Sequence, residues 1–296
     1  MNNYSLFVLK DKENGRTELK SSKSEKYLGD VSSVDGKNNK NIAERVAKGC
    51  GITKQIMQKL EDIVFGPFYF EVASIFRQSL FMNSILLNSE AWYNLKIKNI
   101  EELEKVDEAL IRKILEAPKG TPICMLYLEM GFVPIRFLIM QRRLTFLHYI
   151  LQQEPYSLVS RVLDAQMKNC KPWDWFNQIK KDLADLKINI HVEDIAFYSK
   201  DQFKDIVSEA VNALAFDYLI QQKAQKSKVK NVNHSVLEMQ NYFSLSSELT
   251  TKEKKLLFSL RSKMLFVKDN YHTQFKDNLN CDLCITELDT QLNSMY

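Results

Sequence analysis

Ile42-Ala-Glu-Arg-Val-Ala-Lys-Gly-Cys-Gly-Ile-Thr-Lys-Gln-Ile-Met-Gln-Lys-Leu60 is where the chain changes character. Ile42, Val46, Ile52, Ile56 and Leu60 recur at helical spacing, interrupted by Gly49 and Gly51. The preceding residues 1–41 are polar and hold three of the eight glycines. In that segment Tyr4 to Leu9 and Tyr27 to Val34 read as strands or a hairpin, and Asp35-Gly36 is a turn signal. The period thus shifts from 2 to 3.6 near Ile42. The expected fold class is mainly α: a short β-hairpin element at the N-terminus, then a helical bundle, then further helices.

Downstream, Ile63 and Val64 extend the first stripe as far as a stop at Gly66-Pro67. A second stripe is Phe68, Val72, Ile75, Phe76, Leu80 and Leu87. Asn99 and Glu102 have the spacing of a capping pair before Leu103, Val106, Leu110 and Ile114, and Pro118 and Pro122 end that helix. Pro134 opens a helix through about Leu151 that is apolar nearly all round except at Arg136, Gln141, Arg142 and Arg143, the pattern of a buried core helix. Ser199 with Gln202, and Thr250 with Glu253, cap two more helices. The last of these carries Leu256, Leu260, Met264 and Val267. No internal repeat occurs at a fixed period.

The chain of 296 residues is 45% apolar, enough to bury a core, and holds only eight glycines and six prolines. Five widely spaced cysteines do not make a disulfide framework and point to a reducing compartment. No apolar run reaches the roughly 18 residues that a spanning helix needs, and Met1 to Lys20 has no signal-peptide pattern. The expected setting is intracellular, nuclear or cytoplasmic, with no membrane partner. The net charge of +4 is unevenly spread: +5 over residues 1–60, −4 over 61–220, +6 over 221–280 and −3 over the last 16. Basic flanks around an acidic middle suit a polyanion touched at two places; solvated surface lysines give the same counts.

Cys281-Asp-Leu-Cys284 has the spacing of two tetrahedral zinc ligands, or is a pair of ordinary thiols. Two more ligands are needed: upstream, His272 is nine residues away and His234 is far, so zinc binding by this chain is expected to be poor. His148 with Cys124 or Cys170 could form a nucleophile pair, but a satisfied core histidine fits its apolar helix better. The acidic run Glu101 to Glu108 reads as a solvated face. No phosphate-cradling glycine loop, no His-Glu-x-x-His and no Asp-Asp pair is present. Lys254, Arg261 and Lys268 are seven residues apart on one expected face, flanked by Lys255 and Lys263; Arg136 and Arg143 have the same relation. Such faces can track a phosphate backbone.

Together these residues resemble a family. Lys26-Tyr-Leu-Gly-Asp30, Asp35-Gly-Lys-Asn38 and Ile42-x-x-Arg45 resemble the segment after the active site in reverse transcriptases of LINE-type (non-long-terminal-repeat) retrotransposons. Ile85-Leu-Leu-Asn-Ser-Glu-Ala-Trp92 resembles that family's LLYGSETW stretch, with Leu87, Asn88 and Ala91 where Tyr, Gly and Thr are usual. Leu126-Tyr-Leu-Glu-Met-Gly131, Pro134-Ile-Arg136 and Arg142-Arg143-Leu-Thr-Phe-Leu-His148 are similar to the same family. So are Trp175, Asp182-Leu183, Ser199-Lys200, Phe203-Lys204 and Leu260-Arg261. The likeness runs over about residues 20–291.

The resemblance implies four segments: a polar segment with a primer-grip-like hairpin (1–41), a thumb-like bundle (42–120), a post-polymerase helical region (121–225), and a basic tail with an incomplete zinc knuckle (226–296). It implies an RNA or RNA–DNA duplex partner, bound independently of sequence by Lys26, Tyr27, Gly29, Arg136, Arg143, Lys254, Arg261, Lys263 and Lys268. Zinc at Cys281 and Cys284 would be an incomplete site. The palm carboxylates that hold the family's magnesium ions should precede Lys26 and are not among the residues there, so no magnesium, no catalytic residue and no polymerase activity are expected of this chain alone. The chain looks cut from a longer element at both ends; a separate palm-bearing polypeptide is one conceivable partner. The alternative is an inert or domesticated helical remnant that binds protein.

Overall fold

The computed structural model of the chain describes residues 38–64 and 66–265, together with the backbone of four strands between Phe7 and Ser33. Those strands form two antiparallel ladders: β1 (Phe7–Asp11) with β2 (Gly15–Leu19), and β3 (Ser24–Tyr27) with β4 (Asp30–Ser33). Every other regular element described is helical, so the fold is mainly α.

The helix α1 (Asn39–Glu61) buries Ile42, Ile56 and Leu60, as its spacing requires. The next stripe departs from expectation. Phe68, Ile75 and Leu80 are 55%, 60% and 40% exposed, whereas Tyr69, Ala73, Arg77, Phe81 and Ile85 are buried. Tyr69 and Ala73 share a face of α2 (Tyr69–Phe76) at ordinary helical spacing; beyond it the chain enters a π turn, Arg77–Met82, before α3 (Asn83–Ile85). An i→i+5 turn underwinds the helix and rotates the inward face away from the 3.6-residue stripe.

Asn99 is not a cap. The helix α4 (Ile97–Leu115) begins two residues earlier, and the Asn99 amide donates to Asn39 Oδ1 at 3.2 Å, tying α4 to the start of α1. The acidic run on α4 is not a solvated face either: Asp107 is fully buried and Glu104 nearly so. Pro122 and Pro134 precede α5 (Ile123–Met130) and α6 (Ile135–Leu151), as expected of a residue whose fixed φ suits a helix start.

Ser157 caps α7 (Leu158–Lys168), followed by α8 (Trp175–Asp185). Both expected capping boxes form, Ser199–Gln202 at α9 (Lys200–Ala224) and Thr250–Glu253 at α10 (Thr251–Arg261).

Two apolar clusters meet at α6. Ile135 and Ile139 join a cluster built from α1 to α5; Phe137, Leu144 and Leu147 join a second one built with α7, α8 and α9. Leu219, Val229, Phe243 and Phe258 return to the first cluster, so the segment after α9 packs back on the N-terminal helices. In the first cluster Ile56, Leu103, Leu110 and Ile114 have no exposure, with Val72 and Phe76 packed against them. Truncating Leu110 to Ala should cost about 2–5 kcal/mol in chemical denaturation, by lost transfer free energy plus the cavity left. A loss under about 1 kcal/mol would mean that this position is not in a packed core.

Candidate nucleic-acid interface

The described cations expected to face a phosphate backbone are mostly turned inward. Arg143 is 5% exposed and grips Asp182 on α8 through Nε at 2.6 Å and Nη2 at 2.9 Å. Arg136 holds Glu104 through Nε at 2.8 Å and Nη2 at 2.6 Å, with its guanidinium 4.8 Å from the Tyr218 ring centre. That hydrogen-bonded carboxylate raises the Arg136 pKa further.

Lys254 is 1% exposed; its ammonium donates to the carbonyls of Phe243 and Ser244 at 3.2 and 3.0 Å. The shared basic face on α10 is therefore corrected: Thr251, Lys254, Lys255 and Phe258 point inward while Leu256 is exposed. The helix also ends at Arg261, with Lys263 exposed at φ 57° two residues on. Lys26 and Tyr27 lie on β3, paired with Val31 and Asp30. Gly29, Lys268, Cys281 and Cys284 lie outside the described residues.

Arg261 belongs to a cluster that sequence reasoning missed. Glu129 on α5 has no exposure, and both its oxygens are taken. Oε1 accepts from His234 Nε2 at 2.9 Å, and Oε2 from the Tyr242 hydroxyl at 2.5 Å. Arg261 Nε lies 3.0 Å from each oxygen. The His234 Nδ1 left by this tautomer accepts from Lys223 Nζ at 3.2 Å. Burial alone would raise the Glu129 pKa, but the bonds from His234 and Tyr242 and the charge of Arg261 outweigh it and hold the carboxyl below its usual range. Burial and the adjacent carboxylate push the Tyr242 hydroxyl far up.

The backbone joins in: Gln240 N donates to Glu129 O at 3.0 Å, and Met130 bridges Met239. Gly131 sits at φ +65°, where an added Cβ would meet Met239 N at 2.2 Å, so this approach needs glycine. Only one sequence signal pointed here: Glu129 is a carboxylate in an otherwise apolar run, and a buried charge must have partners.

The same holds on α6. Arg142 donates to Leu86 O at 2.7 Å, Arg143 lies 3.4 Å from Trp92 O, and Trp175 Nε1 donates to Glu90 O at 2.8 Å. Three side chains thus fix the 85–92 turn, in which Asn88 takes a left-handed φ of 60°. Asp107 is held by Arg77 at 2.8 and 2.6 Å and by the Tyr127 hydroxyl at 3.0 Å. His148 is a satisfied core histidine: Nε2 donates to Tyr198 O at 2.9 Å and the ring stacks on Phe203. Burial raises the Cys124 thiol pKa, so it is a poor nucleophile.

Outward-facing cations remain. Lys48, Lys54 and Lys59 are exposed on α1, and Lys54 lines a cleft of about 700 Å³ together with Arg112 and Lys113. Lys226, Lys230, Lys252 and Lys263 are exposed in the basic C-terminal region. Among the described residues no group of three or more His, Cys, Asp or Glu could hold a metal ion, and no single helix is long and apolar enough to cross a membrane. Searches against protein-family models, curated proteins and solved structures find no match to this chain.

Two measurements probe these charges. Glu129→Ala would leave His234, Tyr242 and Arg261 without their acceptor, and should cost about 3–5 kcal/mol and speed amide exchange over residues 229–262. Because the folded Glu129 pKa is depressed, its stabilisation is complete above the unfolded carboxylate range and is lost as pH falls through the folded value. Glu108 behaves oppositely. Burial above all, with help from Glu104 and Asp107 and against Arg112, raises it to about 7. Its charged form therefore opposes folding increasingly as pH rises from the unfolded value through about 7. Glu108→Gln should raise the melting temperature at pH 8 and leave it unchanged at pH 4; an unchanged melting temperature at both would show that Glu108 is solvated.

Proposed function

We propose that this chain is a nucleic-acid-binding module related to the thumb and post-polymerase part of LINE-type reverse transcriptases, holding RNA or an RNA–DNA duplex through backbone phosphates without chemistry of its own. The observation that carries the reading is the ordered series of short motifs from Lys26 to Arg261. The positions at which those motifs matter structurally support it. Asn88, where the family has Gly, has the left-handed backbone that Gly favours, and Asn is the usual substitute there. The Leu126 to Gly131 motif supplies Tyr127, Glu129 and Gly131, each with a specific contact.

In this reading β3 and β4 form the primer-grip-like hairpin and α1 to α4 the thumb-like bundle. The phosphate contacts fall to exposed lysines rather than to Arg143 and Lys254. Cys281 and Cys284 are half of a zinc knuckle that binds the ion weakly, since two thiolates leave half of the tetrahedral shell open. No magnesium is held by this chain alone, and polymerisation would need a palm supplied by another polypeptide. A second reading, an inert or domesticated remnant that binds protein, is favoured by the internal commitment of Arg136, Arg143, Lys254 and Arg261.

A salt titration of binding to a labelled RNA–DNA duplex separates the two. Each phosphate contact should add about −0.7 to −0.9 to the log–log slope, so Lys226→Ala/Lys230→Ala/Lys263→Ala should flatten it by about two to three units without altering sequence preference. Equal slopes would remove these lysines from the interface, and no binding at low salt would favour the remnant.

A further inference from the structure

A second open cleft, of about 590 Å³, lies between α6, the first turns of α9 and the π turn, and none of the lysines invoked above lines it. That size is within the range of about 300–1,000 Å³ typical of small-ligand sites. Its lining combines two chemistries. Arg142, Lys200 and Lys204 bring three cations against one carboxylate, Glu90. Arg142 donates to Leu86 O and Asn83 Oδ1, and Glu90 is the carboxylate whose charge acts on it. Lys200 and Lys204 stand one turn apart on α9, exposed, and neither has an ion-pair partner among the described residues.

An aromatic step lines the same cleft. Tyr149 is 53% exposed, and its ring is nearly parallel to that of Phe146, with centres 5.9 Å apart and planes 13° apart. Phe146 is braced in turn by the edge of Trp175, at 5.9 Å and 80°. Tyr149 is thus an open aromatic side chain on a rigid support, within a cleft whose rim is positive.

Cations alone would fit any polyanion, and an aromatic step alone any flat apolar ligand. The combination fits a ligand that alternates negative groups with flat rings. Unpaired bases offer their faces to protein aromatics while the flanking phosphates meet Lys and Arg; in a duplex the bases are stacked on each other and unavailable. We propose that this cleft binds single-stranded nucleic acid, with one base stacked on Tyr149 and its neighbouring phosphates on Arg142, Lys200 and Lys204. This rests on the nucleic-acid reading above and adds a separate single-strand site to it.

The test uses the full chain and fluorescence anisotropy with three probes: a labelled single strand, the same strand with abasic positions, and a duplex. Variants are Tyr149→Ala, Tyr149→Phe and Lys200→Glu/Lys204→Glu, all at exposed positions, with melting curves to verify folding. The site predicts that wild type binds the intact strand about tenfold or more tightly than the abasic one, the range expected of base stacking. Tyr149→Ala should erase that preference and Tyr149→Phe keep it. The lysine variant should weaken single-strand binding at least tenfold and leave duplex binding within twofold. Variants that bind the single strand like wild type, or a wild type that binds duplex alone, would overturn the cleft while the duplex reading stands. A wild type that binds none of the probes would overturn both.

Discussion

Glu129 is the constraint on which the C-terminal third depends. A carboxylate without solvent exposure is tolerated only when hydrogen bonds and opposite charge replace the water it lost. Here they come from His234, Tyr242 and Arg261, three residues spread over 28 positions of chain. Meeting the needs of one side chain on α5 therefore fixes the path of the connector after α9, the turn before α10, and the end of α10. The Gln240 N to Glu129 O bond and the close approach at Gly131 lock the same contact through the backbone.

The pattern repeats through the molecule. Asp107 with Arg77 and Tyr127, Asp182 with Arg143, and Glu104 with Arg136 are acid–base contacts that join separate helices. Each leaves a cation unavailable to an outside ligand. The seven-residue spacing of Arg136 with Arg143, and of Lys254 with Arg261, had suggested that α6 and α10 offer basic faces; most of those charges are spent internally, and the exposed ones lie elsewhere, on α1, on the first turns of α9 and after it. The residues that carry the family resemblance are largely these internal anchors. The Arg142-Arg143 motif marks how the 85–92 turn is held against α6: Arg143 is wholly spent inside, and only Arg142 also lines the cleft between α6 and α9.

What was legible in the sequence was local. The capping boxes at Ser199 and Thr250 form because side chain and backbone three residues apart satisfy each other with no help from the rest of the fold. The apolar circumference of α6 announced its burial between two clusters. Asn99 misled because an amide suited to capping was instead used across the bundle, on Asn39. Phe68 and Ile75 misled because α2 starts at Tyr69 and buries Tyr69, Phe70 and Ala73 instead, and Leu80 because the π turn, which a 3.6-residue stripe cannot reveal, rotates the helix beyond Phe76. Lys254 misled because its partners, the carbonyls of Phe243 and Ser244, belong to a short turn placed by long-range contacts, the Glu129 cluster and the burial of Phe243 against Phe70. Non-local pairing of charges was the part that periodicity could not show.

The central claim is that lysines divide into internal anchors and an outward set that meets nucleic acid. Lysine acylation footprinting of the full chain, with and without a mixed single-strand and RNA–DNA duplex ligand, tests it most directly. The account predicts that Lys223 and Lys254 stay unreactive in both states, and that Lys200, Lys204, Lys226, Lys230 and Lys263 react in the free chain and are protected by the ligand. Ready acylation of Lys254 in the free, folded chain, or unchanged reactivity of the outward set at saturating ligand, would contradict it.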